Sequence, residues 1–241
     1  MRRLPQEIVD SIVDHISDDR KTLLACTQLS RAWCIAARIH LHWTFTVSHS
    51  AGLKAVDDLE IMGTIHLVRK MVVSPKQGQM GFLLPHKALI RLNAFNHLQE
   101  LVLTCYDIGE LVLGLHENCD TLKSTVRTLT LQYPSGSTKR IVWFISLFSN
   151  LENLAVHDSM YMVNTEDPQV PVTESPPLKG WLNLKTIWKG SEFICDLASM
   201  QHGMRFRTVE LCGSAGVQGV INGCGRTMER LIWYAFHILG A

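Results

Sequence analysis

The 241-residue sequence has almost no excess of charge of either sign. Lys and Arg total 23 against 22 Asp and Glu, and like charges adjoin only in pairs such as Arg2-Arg3 and Lys139-Arg140. A nucleic-acid or anionic-membrane footprint needs a clustered basic face, so neither partner class is expected. Long apolar runs are missing too. The longest, "IVWFI" at 141–145, is far short of the ~20 residues that a membrane span requires. Arg2 and Arg3 have no apolar segment behind them, so the N-terminus does not read as a secretory signal. Seven cysteines (26, 34, 105, 119, 195, 212 and 224) form no C-x-x-C pair. An odd count without a secretory signal reads as reduced thiols, many of them buried, in a cytoplasmic or nuclear protein.

What is present is apolar material in two patterns; 46% of the chain is hydrophobic, enough to build a core. The first pattern is "LPQEIVDSIVDHISDD" at 4–19, with Ile8, Val9, Ile12, Val13 and Ile16 at helical spacing. Pro5 suits a first helical turn, and Glu7 complements the positive end of the helix dipole. Asp18 or Asp19 then caps a second helix carrying Leu23, Leu24, Cys26, Leu29 and Trp33. A third apolar stretch, "CIAARIHLHW", runs on to Trp43. The apolar positions wrap too far round for so small a unit, and below roughly 40 residues a chain seldom stabilises itself unaided. Either these helices pack on the rest of the chain or they offer a face to another protein.

The order and spacing of Leu4, Pro5, Glu7, Ile8, Ile12, Ile16, Leu23, Leu24, Leu29, Arg31 and Trp33 resemble an F-box of the type found in large fungal families. The likeness covers about 40 residues and departs where Ser30 occupies a place that cysteine commonly holds. It implies docking to a Skp-family adaptor and, through it, a cullin–RING ubiquitin ligase. The adaptor-binding residues it points to are Leu4, Pro5, Ile8, Ile12, Leu24, Leu29 and Trp33.

The second pattern is a weak repeat. "VRKMVV" at 68, "LQELVL" at 98, "VRTLTL" at 126, "LENLAV" at 151, "LKTIWK" at 184, "FRTVEL" at 206 and "MERLIW" at 228 carry apolar residues at positions one and four, and mostly at six. This is similar to the core of a leucine-rich repeat, whose period is roughly 20–29 residues; the spacings here are 30, 28, 25, 33, 22 and 22. Helix-like stretches such as "IGELVLGLHENC", "KRIVWFISLFS" and "EFICDLASMQ" lie between the motifs. Strand–helix alternation predicts a parallel sheet. Position nine holds Tyr106, Pro134, Ser159, Glu192, Ser214 and Phe236, so no asparagine ladder is expected there, and Lys189 falls at an inward place. The repeat should therefore be irregular.

The expected fold is α/β: a small helical F-box over 1–45, then an irregular leucine-rich-repeat-like solenoid over 46–241. "NTEDPQVPVTESPP" at 164–177 reads as an exposed Pro-rich loop inserted in it. The chain ends on the strand-like "MERLIWYAFHILGA" without a polar capping repeat, which reads as a shortened member of its family.

No catalytic or metal centre is expected. "VELCGSAGVQG" at 209–219 misses a dinucleotide fingerprint at Ser214 and a nucleophile elbow at Cys212. His40 and His42 lack partners for a zinc set. The remaining expectation, for a non-catalytic ligase subunit, is a protein target held on outward strand positions. These are Glu100, Val102, Thr104, Thr128, Thr130, Gln132, Asn153, Ala155, His157, Thr186, Trp188, Thr208, Glu210, Arg230, Ile232 and Tyr234, with Trp188 and Tyr234 as anchors. A repeat scaffold acting without a ligase, or an α/β enzyme with a site near 212–219, are the alternatives. No cofactor is expected.

Overall fold

Alternating side chains decide the sheet. In "TLTLQ" at 128–132, Leu129 and Leu131 are buried on one face and Thr128, Thr130 and Gln132 are half-buried on the other, as a strand with one core face requires. A computed structural model of the chain describes residues 4–48, 51–74, 92–104, 108, 119–134, 136–157, 181–186, 205–212 and 228–234. The order is α1 (Gln6–His15), α2 (Arg20–Cys26), α3 (Arg31–Leu41), β1 (Thr44–Val47), α4 (Ala51–Ile61), a 3-10 turn (Ile65–Leu67), β2 (Lys70–Val73) and β3 (Glu100–Thr104). There follow α5 (Asp120–Thr125), β4 (Thr128–Gln132), α6 (Thr138–Ser146), β5 (Asn153–His157), β6 (Trp181–Thr186), β7 (Arg205–Cys212) and β8 (Arg230–Tyr234).

The strands form one eight-stranded parallel sheet whose spatial order is the chain order, β1 to β8. The protein is thus mixed α/β with a parallel sheet, as the strand–helix alternation predicts. A single register runs across it: Phe45, Met71, Leu101, Leu129, Leu154, Leu184, Val209 and Leu231 align as one row. From Met71 to Val209 every residue of that row is buried. Val56 and Leu59 of α4, Leu122 of α5 and Ile141, Phe144 and Ile145 of α6 belong to the same core cluster. The buried ring of Phe144 in α6 meets that of Phe148, two residues past the helix, edge to face at 5.3 Å.

The strand starts repeat one hydrogen-bond pattern. The carbonyl of Trp43 accepts from Arg69 and Lys70 N–H, that of Arg69 from Gln99 and Glu100, that of Gln99 from Arg127 and Thr128, and that of Arg127 from Glu152 and Asn153, all at 2.8–3.0 Å. The residue three before each inward row position (Val68, Leu98, Val126, Leu151) is buried, which anchors the turn entering the strand.

Two differences from the sequence expectation stand out. The apolar stretch to Trp43 forms α3, which stops at Leu41, and a first strand, β1, follows it at Thr44–Val47, where no repeat motif was expected. Phe45 and Val47 hold the fourth and sixth motif places, but His42 occupies the first, so an apolar criterion passes over it. Secondly, β6 begins at Trp181, and Leu184 pairs with Leu154 and Val209. The motif there is "WLNLKT", three residues earlier than "LKTIWK". Motif starts at 151, 181 and 206 are then 30 and 25 apart, more even than 33 and 22. Thr186 therefore aligns in register with Val156 and Leu211, and not with Asn153 or Ala155. A register shift at Leu182/Asn183 leaves Arg207 as the extra residue of β7.

The helical residues before β1 have their own core of Val9, Val13, Leu23, Cys26, Ala36 and Ala37, with Ile16, Trp33 and Leu41 packed on it. Among the described residues it shares none with the core under the sheet. The boundary drawn between residues 45 and 46 runs through β1. The loop 164–177, Trp188, Lys189 and the glycine-rich 213–219 lie outside the described residues.

Candidate functional site

A helix that buries one stripe leaves the residues next to it in solvent, and α1 divides its aliphatic side chains this way. Val9 and Val13, one turn apart, are 1% and 0% exposed, whereas Ile8 and Ile12, also one turn apart, are 47% and 40% exposed. Pro5 opens α1, its carbonyl accepting from the N–H of Ile8 and Val9 at 3.2 and 3.3 Å, and Leu4 before it is exposed.

The start of α2 is fixed by Asp19. Its Oδ1 accepts from the N–H of Lys21 and Thr22 at 3.0 and 3.2 Å, and its Oδ2 accepts from Thr22 Oγ1 at 2.6 Å. The Thr22 hydroxyl and backbone bonds hold this carboxyl below the usual range. With the helix so registered, Leu23 is buried and its neighbour Leu24 exposed. Leu29, in the turn before α3, is 64% exposed; Trp33 is half-buried against the helical core. His40 Nε2 on α3 lies 2.9 Å from Asp14 Oδ1 on α1 and ties those helices together. Among the residues expected to bind an adaptor, Leu4, Pro5, Ile8, Ile12, Leu24 and Leu29 are thus exposed, while Trp33 also supports the core.

Ten of the eleven exposed large apolar side chains among the described residues precede Gly63; only Tyr133 follows it. Five of the ten were not singled out from the sequence: Ile35, Ile39, Trp43, Ile61 and Met62. The four-residue spacing of Ile35, Ile39 and Trp43 was the available signal.

The outer face of the sheet has another character. One outward row reads Thr44, Lys70, Glu100, Thr128, Asn153, Asn183, Thr208, Arg230, and the next Thr46, Val72, Val102, Thr130, Ala155, Lys185, Glu210, Ile232. Thr104, Gln132 and His157 form a third, partial row, and Tyr234 pairs with Cys212 at the far edge. On β6 the residues in these rows are Asn183 and Lys185; Trp188 lies outside the described residues. Val102 is only 7% exposed, so it serves as floor rather than contact. The asparagines that do ladder, Asn153 and Asn183, stand on the strands, not at the ninth motif position.

Among the described residues no group of three or more His, Cys, Asp or Glu could hold a metal ion. No helix of the described residues is long and apolar enough to cross a membrane. No protein-family model matches the chain, and no curated protein matches it significantly.

Proposed function

We propose that the chain is the substrate-recognition subunit of an SCF-type ubiquitin ligase. In this reading α1–α3 are an F-box that docks a Skp-family adaptor and through it a cullin–RING ligase. The sheet and its connections are an irregular leucine-rich-repeat solenoid that holds a protein target. The chain performs no chemistry; it raises the local concentration of the target beside the ubiquitin-transfer machinery. The cellular setting is cytoplasm, nucleus or both.

One observation carries the proposal: a small helical unit with its own core also exposes Leu4, Ile8, Ile12, Leu24 and Leu29. Aliphatic side chains so displayed are the outer half of an intermolecular core, and burying each fully against a partner is worth about 1.5–3 kcal/mol. The chain-ordered parallel sheet and its recurring strand-start hydrogen bonds support the solenoid. Co-expression with a Skp-family adaptor tests the reading. Expected is a soluble one-to-one complex that forms with the wild type and is lost in Ile8→Asp/Leu24→Asp. An equal yield of soluble, uncomplexed chain with and without adaptor contradicts it.

A further inference from the structure

Resting on the reading of the sheet as the target-holding part, we infer that its outer face recognises an extended, uncharged polypeptide segment rich in amide and hydroxyl side chains and free of phosphate. Charge complementarity carries this. Lys70 Nζ on β2 lies 2.7 Å from Glu100 Oε1 on β3, and Lys185 Nζ on β6 lies 2.9 Å from Glu210 Oε1 on β7. Each outward lysine is therefore neutralised by the adjacent strand. Between the two ion pairs the outward strand positions Thr128, Thr130, Asn153 and Ala155 carry no charge, the Arg127–Glu152 pair at the strand entries closes on itself at 3.2 Å, and hydrogen bonds link the face. Asn183 Nδ2 donates to Asn153 Oδ1 at 3.0 Å, Asn153 Nδ2 to Thr128 Oγ1 at 3.3 Å, and Thr104 Oγ1 to Gln132 Oε1 at 3.0 Å.

These ladders run across the strands and end in groups of both polarities. The first ladder ends in the Asn183 amide and the Thr128 hydroxyl and the second in the Gln132 amide, groups that can offer acceptors and donors to a chain laid over them. The middle row is small, Val102, Thr130 and Ala155, and forms a shallow floor on which a backbone can rest. A phosphate or acidic stretch needs a charge-assisted donor pair. Recruiting Lys70 or Lys185 would leave Glu100 or Glu210 facing the ligand's negative charge, a repulsive arrangement that disfavours such targets. Arg230 stands beyond the second ion pair, on β8.

The full chain, with adaptor where it binds and alone otherwise, is probed with arrays of short synthetic peptides of random sequence, each carrying serine unmodified or phosphorylated. Retention is expected to favour uncharged Asn-, Gln-, Ser- and Thr-rich peptides and to change less than about twofold between low salt and ~0.5 M salt. Asn153→Leu should weaken it about tenfold, and Thr130→Arg should shift the preference toward acidic peptides. Preference of the wild type for acidic or phosphorylated peptides, steep loss with salt, or no retention at all overturns the inference. Adaptor capture by the same protein reports separately: a chain that takes adaptor yet selects phosphopeptides keeps the ligase reading and loses this one.

Discussion

Thr64 follows Gly63 at the end of α4, where two hydrogen bonds close the helix: Gly63 N–H to the Glu60 carbonyl and Thr64 N–H to the Leu59 carbonyl, both at 3.0 Å. Gly63, at φ 63°, takes the left-handed conformation that this closure needs. The Thr64 side chain is then buried with its hydroxyl unpartnered. Thr64→Val keeps the shape and removes the desolvated hydroxyl, so a gain of about 1 kcal/mol is expected in denaturant titrations; a loss of stability would mean the hydroxyl is bonded. His42 makes a pH prediction. Burial, then the nearby Arg38 and Arg20 charges, holds its imidazole below the usual range. The unfolded chain therefore binds the proton more tightly. Stability is unaffected above the ordinary imidazole range, falls as pH drops through it, and levels off below the folded value. His42→Gln should flatten that fall relative to wild type between about pH 7.5 and 5.5; identical pH profiles would contradict it. His42 is also the residue that hid β1, because a half-buried imidazole stands where the other repeats have an apolar residue.

At the scale of the element, periodicity carried much of the information. β2 to β8 coincide with or overlap the seven motifs, since alternating burial in a strand leaves a two-residue signature in the sequence. The frame of β6 was misread because Leu184 fits both the first and the fourth motif place, and only pairing with Leu154 decides between them. α4 and α5 carried no motif and emerged only with the fold. On α1 the sequence could not separate inward from outward, since Ile8, Val9, Ile12 and Val13 are all aliphatic; packing against α2 and α3 separates them. That separation predicts different mutant phenotypes. Leu23→Ala, at a buried position, should cost the helical unit about 2–5 kcal/mol. Ile12→Ala, at an exposed one, should change stability by less than about 0.5 kcal/mol, while still weakening adaptor capture. Thermal unfolding of the two variants distinguishes them. Equal destabilisation would mean that the Ile12 face is covered within the chain.

At the scale of the molecule, the exposed large apolar side chains of the described residues gather before Gly63, and the described part of the sheet presents hydrogen-bonded ladders and closed ion pairs. Composition gives a near-neutral chain but not this division, because exposure depends on which element each residue joins. The segregation suits a chain that grips a partner of fixed identity through one end and reads a second protein with the other. The most direct measurement is calorimetric titration of a Skp-family adaptor into the full chain at several temperatures, beside Ile8→Asp/Ile12→Asp. The account predicts saturable one-to-one binding with a negative heat-capacity change, the mark of buried apolar surface, and no binding by the variant. Absence of wild-type binding, or undiminished binding by the variant, would contradict it.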